Sequence, residues 1–238
     1  MKTKLMFVLA VLGLKGFSQE SAKQIKRIDQ VWVGYYNSVI INEKWSVNSD
    51  IQFRTKDWID HPSQALIRTG LVRKINEKLS VTAGVAHFRF YLSDVATRGE
   101  WRPWQEIALT ENYKKLKVIQ RFRIEERFNQ KTKSNEPVDD YTYNWRFRYK
   151  LDLQFKLVSK DNKALYFTVG NEILMNAGKI IKYNYFDQDR LSAGFNIELN
   201  KNFTLQPQFI YIWQQESNGI TLDKISVIRL NILHKIKL

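Results

Sequence analysis

The chain has no cysteine, only four prolines, ten glycines and three histidines. Without cysteine it can form no disulfide, no thiolate metal site and no lipoprotein-type cleavage site. No two of His61, His87 and His234 stand at a spacing that would pair them on a metal. There is no Gly-rich phosphate loop and no nucleotide motif, so neither a metal nor an organic cofactor is expected. Beyond the first residues, no stretch approaches the roughly 18 uncharged apolar residues of a membrane-spanning helix. Nothing rich in Pro, Gly and Ser divides the chain, which predicts one domain.

The chain opens Met1-Lys2-Thr3-Lys4, runs apolar from Leu5 to Leu14, and places small residues, Gly16 and Ser18, at −3 and −1 before Gln19. This is the pattern of a secretory signal peptide over 1–18, too short in its apolar part to cross a bilayer. Residues 19–30 are then a periplasmic segment or the start of a first strand, and 31–238 the folded body. Removing Lys2, Lys4 and Lys15 from the 38 basic residues leaves 35 against 24 acidic ones, a net charge of +11. Such an excess seeks an anionic partner. Export removes nucleic acid from consideration, leaving outer-membrane lipid with lipopolysaccharide-type anionic surfaces, or small anions.

What the chain has in quantity is strict alternation. In YTYNWRFRYKLDLQF, residues 141–155, every odd position from Tyr141 to Phe155 is aromatic or aliphatic and every even one polar or charged. Successive side chains of a strand point to opposite faces, so this segment is a ribbon with one apolar and one polar face. Eleven segments behave this way, near 31–41, 45–55, 64–75, 79–91, 104–113, 116–128, 141–156, 164–175, 188–199, 203–214 and 224–237. No helical period of similar strength intervenes. Strands of 10–15 residues with one apolar face suit a tilted transmembrane β-barrel, whose closure pairs every backbone group. A secreted β-sandwich would need shorter strands and turn signals every 8–12 residues. The fold class is all-β, a closed antiparallel up-and-down transmembrane barrel of ten to twelve strands. Twelve is favoured because single-chain bacterial barrels are even-numbered, with 20–30 supplying or beginning the extra strand.

The connections alternate between short polar turns (42–44, 76–78, 114–115, 200–202) and longer segments (56–63, 92–103, 129–140, 176–187, 215–223). In outer-membrane barrels short turns are periplasmic and long loops external, so Leu238 is expected in the periplasm. Pro207 inside a strand requires an edge or bulge. Trp45, Trp101, Trp104, Tyr113, Tyr141 and Trp213, near strand ends, are expected in the aromatic girdles.

The polar face then lines the lumen. Its expected network comprises Arg54, Arg68, Lys117, Arg121, Arg123, Glu125, Arg127, Arg146, Arg148, Lys150, Asp152, Glu172 and Glu198, with Asp50 and Glu106. In a narrow barrel these either fill the interior with ion pairs or leave guanidiniums free to line a passage for anions. Arg127 and Arg146 flank segment 129–140, which places them toward the outer mouth. The competing enzyme reading is a lipid-modifying hydrolase acting at the outer rim. Gln215–Gly219, QESNG, is similar to the His-x-Ser-Asn-Gly run of outer-membrane phospholipases, but Gln215 stands where the base would be. No catalytic residue is assigned.

EWRPWQEI (100–107), RFRIEERF (121–128) and YNWRFRY (143–149), with WVGYYNS and DIQFRTKD earlier, make the chain resemble domain-of-unknown-function family 2490 over roughly 28–235. The resemblance implies a porin-like outer-membrane barrel of a Gram-negative bacterium of the Bacteroidota type. It implies no activity, because the family supplies no catalytic residues to carry over. The expected role is structural or that of a narrow pore with an Arg-rich lumen.

Overall fold

A computed structural model describes residues 23–92 and 94–238, so the expected signal peptide lies outside the described residues. Eleven strands follow one another: β1 Gln24–Ile40, β2 Trp45–Lys56, β3 His61–Lys74, β4 Leu79–Leu92, β5 Val95–Asn112, β6 Leu116–Lys133, β7 Glu136–Lys160, β8 Lys163–Ala177, β9 Phe186–Glu198, β10 Phe203–Gln215 and β11 Thr221–Lys237. Each pairs with its sequence neighbour, and β1 closes on β11. The count falls inside the expected range, one below the favoured twelve. Residues 24–30 lengthen β1 rather than forming a strand of their own. In an up-and-down barrel an odd count makes the first and last strands run the same way. The closing β1–β11 pair is accordingly parallel, in register from Gln24↔Thr221 to Ile40↔Lys237, while every other pair is antiparallel.

Turns 41–44, 75–78, 113–115, 161–162 and 199–202 share one end with Leu238, here the lower end. Three of them carry asparagine as their second residue. The Asn42, Asn76 and Asn200 side chains each accept hydrogen bonds from the backbone N–H groups two and three residues on. This local closure fixes strand register. At the upper end, two of the expected long loops prove to be strand. Segment 92–103 collapses to a connection at 93–94, and 129–140 to a turn at Ser134-Asn135, with φ values of 52° and 66°. Two successive positive φ values make the tight turn whose twist matches a hairpin. The longest upper connection is 178–185.

The outward faces carry an exposed apolar band that includes Ile51, Ile67, Ile107, Phe122, Leu191, Phe209 and Ile228. Pro207 lies inside β10, between two partners rather than at an edge. The β9–β10 ladder lapses there, passing from Leu205↔Ile197 to Gln208↔Gly194. Gly194 fits the gap, since a Cβ there would meet the Pro207 carbonyl oxygen and, at 2.7 Å, Gln208 Cα.

Candidate functional site in the barrel lumen

Inward residues of β5–β7 mix acids with a majority of bases, and β8 adds Glu172, so that carboxylates on one strand meet guanidiniums of the next. Glu100, fully buried, accepts from Arg102 and receives Arg127 through two nitrogens at 2.6 and 3.0 Å. Glu106 lies 2.6 Å from Arg123 and 3.3 Å from Arg121. Glu125 lies 2.6 Å from Arg148 and 3.5 Å from Arg102. Glu172, on β8, draws in Arg121 at 2.6 Å and Arg148 at 2.7 Å, with Arg190 of β9 at 3.7 Å. Asp187, just outside the expected set, receives Arg146 at 2.7 Å, and Lys150 meets Asp152 at 2.7 Å. Removing a charge from water costs several kcal/mol per ion, so a wall this dense in arginine stands only because carboxylates interleave with it. Arg127 and Arg146 lie in the upper half of the lumen, each with a carboxylate partner.

The remaining wall is chemically different. On β9–β11, β1 and β2 amides are prominent among the inward polar residues and several bond one another, as in Asn231 to Gln206, Gln206 to Asn196 and Gln188 to Gln214, beside a few charged residues such as Asp50, Arg54, Asp223 and Arg229. Apolar residues also face inward. Trp32, Ile210, Ile212, Ile225 and Val227 form one buried cluster, and Leu66, Ala86, Phe88 and Trp104 another. Alternation had suggested a uniformly polar interior. The run Phe209-Ile210-Tyr211-Ile212-Trp213 is apolar on both faces, and a period-two pattern cannot announce that.

Trp104 is corrected from the girdle to the lumen, where it is 5% exposed. It sits three residues from Trp101, so the two cannot share a face of one strand. Gly70 and Gly84 make room for its ring, since a Cβ on either would approach it to 2.7 or 2.6 Å, and Arg123 stacks on it at 4.2 Å. Trp101, Tyr113 and Tyr141 are exposed, and Trp45 and Trp213 are half-buried on the outward face.

Among the described residues Arg54, Arg98, Arg229, Lys117 and Glu198 have no oppositely charged side chain within ion-pair reach. Arg68 does have one, pairing with Asp50 at 2.8 Å. Two cavities occupy the lumen. The upper, about 620 Å³, includes Arg54, Arg98, Arg190 and Arg229 in its lining. The lower, about 680 Å³, is lined by Asn48, Asp50, Arg123 and Glu198 among others. Tyr36, Arg68, Arg121 and Leu233 line both.

The histidines are dispersed among other duties. His61 meets Asp94 at 3.0 Å, His87 packs on Trp101, and His234 bonds the Tyr35 hydroxyl at 2.6 Å. None contacts a serine hydroxyl among the described residues, and no cluster there could hold a metal ion. Ser217 lines the upper cavity, and Asn218 closes its own turn onto the backbone of Ile220 and Thr221.

Comparison with known proteins gives two structural likenesses. The NanC porin aligns with a TM-score of 0.47 at 10% identity, over 82% of this chain and 93% of that one. The siderophore receptor PirA from Pseudomonas aeruginosa aligns with a TM-score of 0.31 at 14% identity, over 74% of this chain and 33% of that one. No curated protein sequence matches. The family model described as "Protein of unknown function (DUF2490)" matches residues 29–223, and the chain belongs to that family.

Proposed function

We propose that this protein is an outer-membrane β-barrel forming a narrow pore that favours small anions. The exposed apolar band supports placement in a bilayer, because a water-soluble protein seldom leaves so continuous an apolar belt uncovered. With the lower turns in the periplasm, Lys133, Lys179 and Lys182 stand exposed at the outer rim, where they suit a lipopolysaccharide-type anionic surface.

The observation that carries the pore reading is the charge balance of the upper cavity, where Arg54, Arg98 and Arg229 have no carboxylate to neutralise them. Uncompensated guanidiniums in a confined aqueous space raise the local anion concentration, and salt screens the effect. An ion crossing from one cavity to the other would pass Tyr36, Arg68, Arg121 and Leu233, which line both. Single-channel recording in a planar bilayer tests the reading. Small anion-selective steps, with selectivity falling as salt rises, are expected; cation preference or absence of conductance overturns it.

A further inference from the structure

One rung of the barrel departs from everything around it. Trp32 of β1 is the register partner of Arg54 on β2 and, across the parallel seam, of Arg229 on β11. Arg54 is in turn the partner of Gln64 on β3, and Arg229 of Gln208 on β10. Five adjacent strands thus present Gln, Arg, Trp, Arg, Gln in order, all toward the lumen. The outer glutamines hold the arginines. Gln64 Oε1 accepts from Arg54 at 3.0 Å, and Gln208 Oε1 accepts from Arg229. An amide oxygen orients a guanidinium without neutralising it, so both arginines keep their full charge. Each also keeps a buried Nε with no hydrogen-bond partner. On β5–β8, by contrast, each inward arginine reaches a carboxylate, except Arg98 near the upper end.

We propose that this rung is a binding site for a small organic carboxylate. Directly opposed side chains on neighbouring strands sit about 5 Å apart at Cβ, so Arg54 and Arg229, one strand to either side of Trp32, stand about 10 Å apart at Cβ, a span that two arginine side chains reaching inward can close onto one anionic head. Arg54 lies 3.9 Å over the Trp32 ring, which limits where its fork can point. Trp32, Ile212 and Ile225 line the same cavity and belong to the apolar cluster beside the clamp, so the wall next to the anionic head is apolar. An inorganic oxoanion would leave that surface unused. The site exists only because β1 and β11 run parallel in this register, which gives the odd strand count a consequence inside the lumen. This inference deepens the pore reading by naming the class of anion held.

The test is calorimetric titration of butyrate into the folded, detergent-solubilised full chain, with inorganic phosphate at the same concentration as the comparison. Saturable butyrate binding, tighter than phosphate, is expected. Losing a charge-assisted pair of hydrogen bonds should weaken it by about tenfold or more in Arg54→Gln combined with Arg229→Gln. Neither arginine neutralises an acid, so the change strands no carboxylate, and heat-modifiable gel mobility verifies that the variant is folded. No saturable binding to the wild type, phosphate at least as tight as butyrate, or undiminished binding in the folded variant each overturns the site. Conductance is read separately. Anion-selective steps without butyrate binding would remove the clamp and leave the pore, whereas butyrate binding without conductance would establish the clamp and remove the pore.

Discussion

On β5–β8 a buried arginine meets a carboxylate, and Glu172 alone receives Arg121 and Arg148 with Arg190 close by. On β10, β11, β1 and β2 an arginine meets an amide, as Arg229 meets Gln208 and Arg54 meets Gln64. Both solutions satisfy hydrogen bonds, but only the first cancels charge. The charged wall is therefore mutually dependent, since each lumen-facing glutamate there is the counter-charge of two or more bases. The amide wall is modular, because an amide lost from it leaves no charge uncompensated that was compensated before. Stability is concentrated on one side of the lumen and available electrostatic potential on the other.

The largest break in that comparison is at Glu172. Glu172→Leu removes the shared counter-charge from buried arginines and should destabilise the barrel by about 3–5 kcal/mol. Gln208→Leu on the opposite wall forfeits the hydrogen bond accepted from the Arg229 guanidinium and the long one donated to the Thr168 hydroxyl, both replaceable by water in the lumen, and should cost about 1–2 kcal/mol. Reversible unfolding in lipid measures both. Equal costs would mean the two walls are held by the same means.

Much of this architecture was legible in the chain. Strands whose faces differ in chemistry, such as β7 with Tyr143, Trp145 and Phe147 outward and Asn144, Arg146 and Arg148 inward, announce their facing residue by residue. Three features escaped for identifiable reasons. The upper β6–β7 hairpin looks like a loop in the sequence because Glu, Asn, Gln and Lys around 129–140 lack an apolar face once a strand projects past the apolar band. The inward apolar cluster was hidden because β10 is apolar on both faces. The arginine clamp depends on a pairing between residues nearly 200 positions apart, Trp32 with Arg229, and neither local period nor spacing specifies which strands close a barrel or in which register. Pairing strands one to eleven in parallel required knowing that the count is odd.

The walls differ within, but their outer faces are alike, and a second experiment sharpens that point. Phe147 on the charged wall and Ile228 on the amide wall both point outward in the apolar band. Phe147→Arg and Ile228→Arg should each cost about 2–4 kcal/mol if they lie near the bilayer midplane, with the same value within error. A markedly smaller penalty at Ile228 would mean that the seam side faces something more polar than lipid, such as another protein.

The smallest expected effect concerns the upper mouth, where the amide wall carries its own acids. Glu216 lies beyond β10 in the 216–220 connection, whose backbone is tied by Glu216 N–H to the Thr221 carbonyl at 3.0 Å and Gly219 N–H to Glu216 at 3.1 Å. A hydrogen bond shared with Asp223, and then partial burial, push the Glu216 carboxyl up to about 7 from 4.5, with Asp187 adding to the rise and Lys26 opposing it. A folded-state pKa above the unfolded one means that the folded mouth holds a proton the unfolded chain has released. The stabilisation is complete below the unfolded value and fades as pH rises through about 7, where a second negative charge appears beside Asp223. Glu216 is only half-buried, so solvent screens the repulsion, and the change in local opening should be about threefold rather than orders of magnitude. Hydrogen exchange at the 216–221 amides, corrected for intrinsic rates and compared at about pH 5.5 and about pH 8.5, should show faster opening at the higher pH. Glu216→Gln, which bonds Asp223 without titrating, should make the two conditions alike. Slower opening at high pH, or a dependence that survives Glu216→Gln, would place the proton elsewhere.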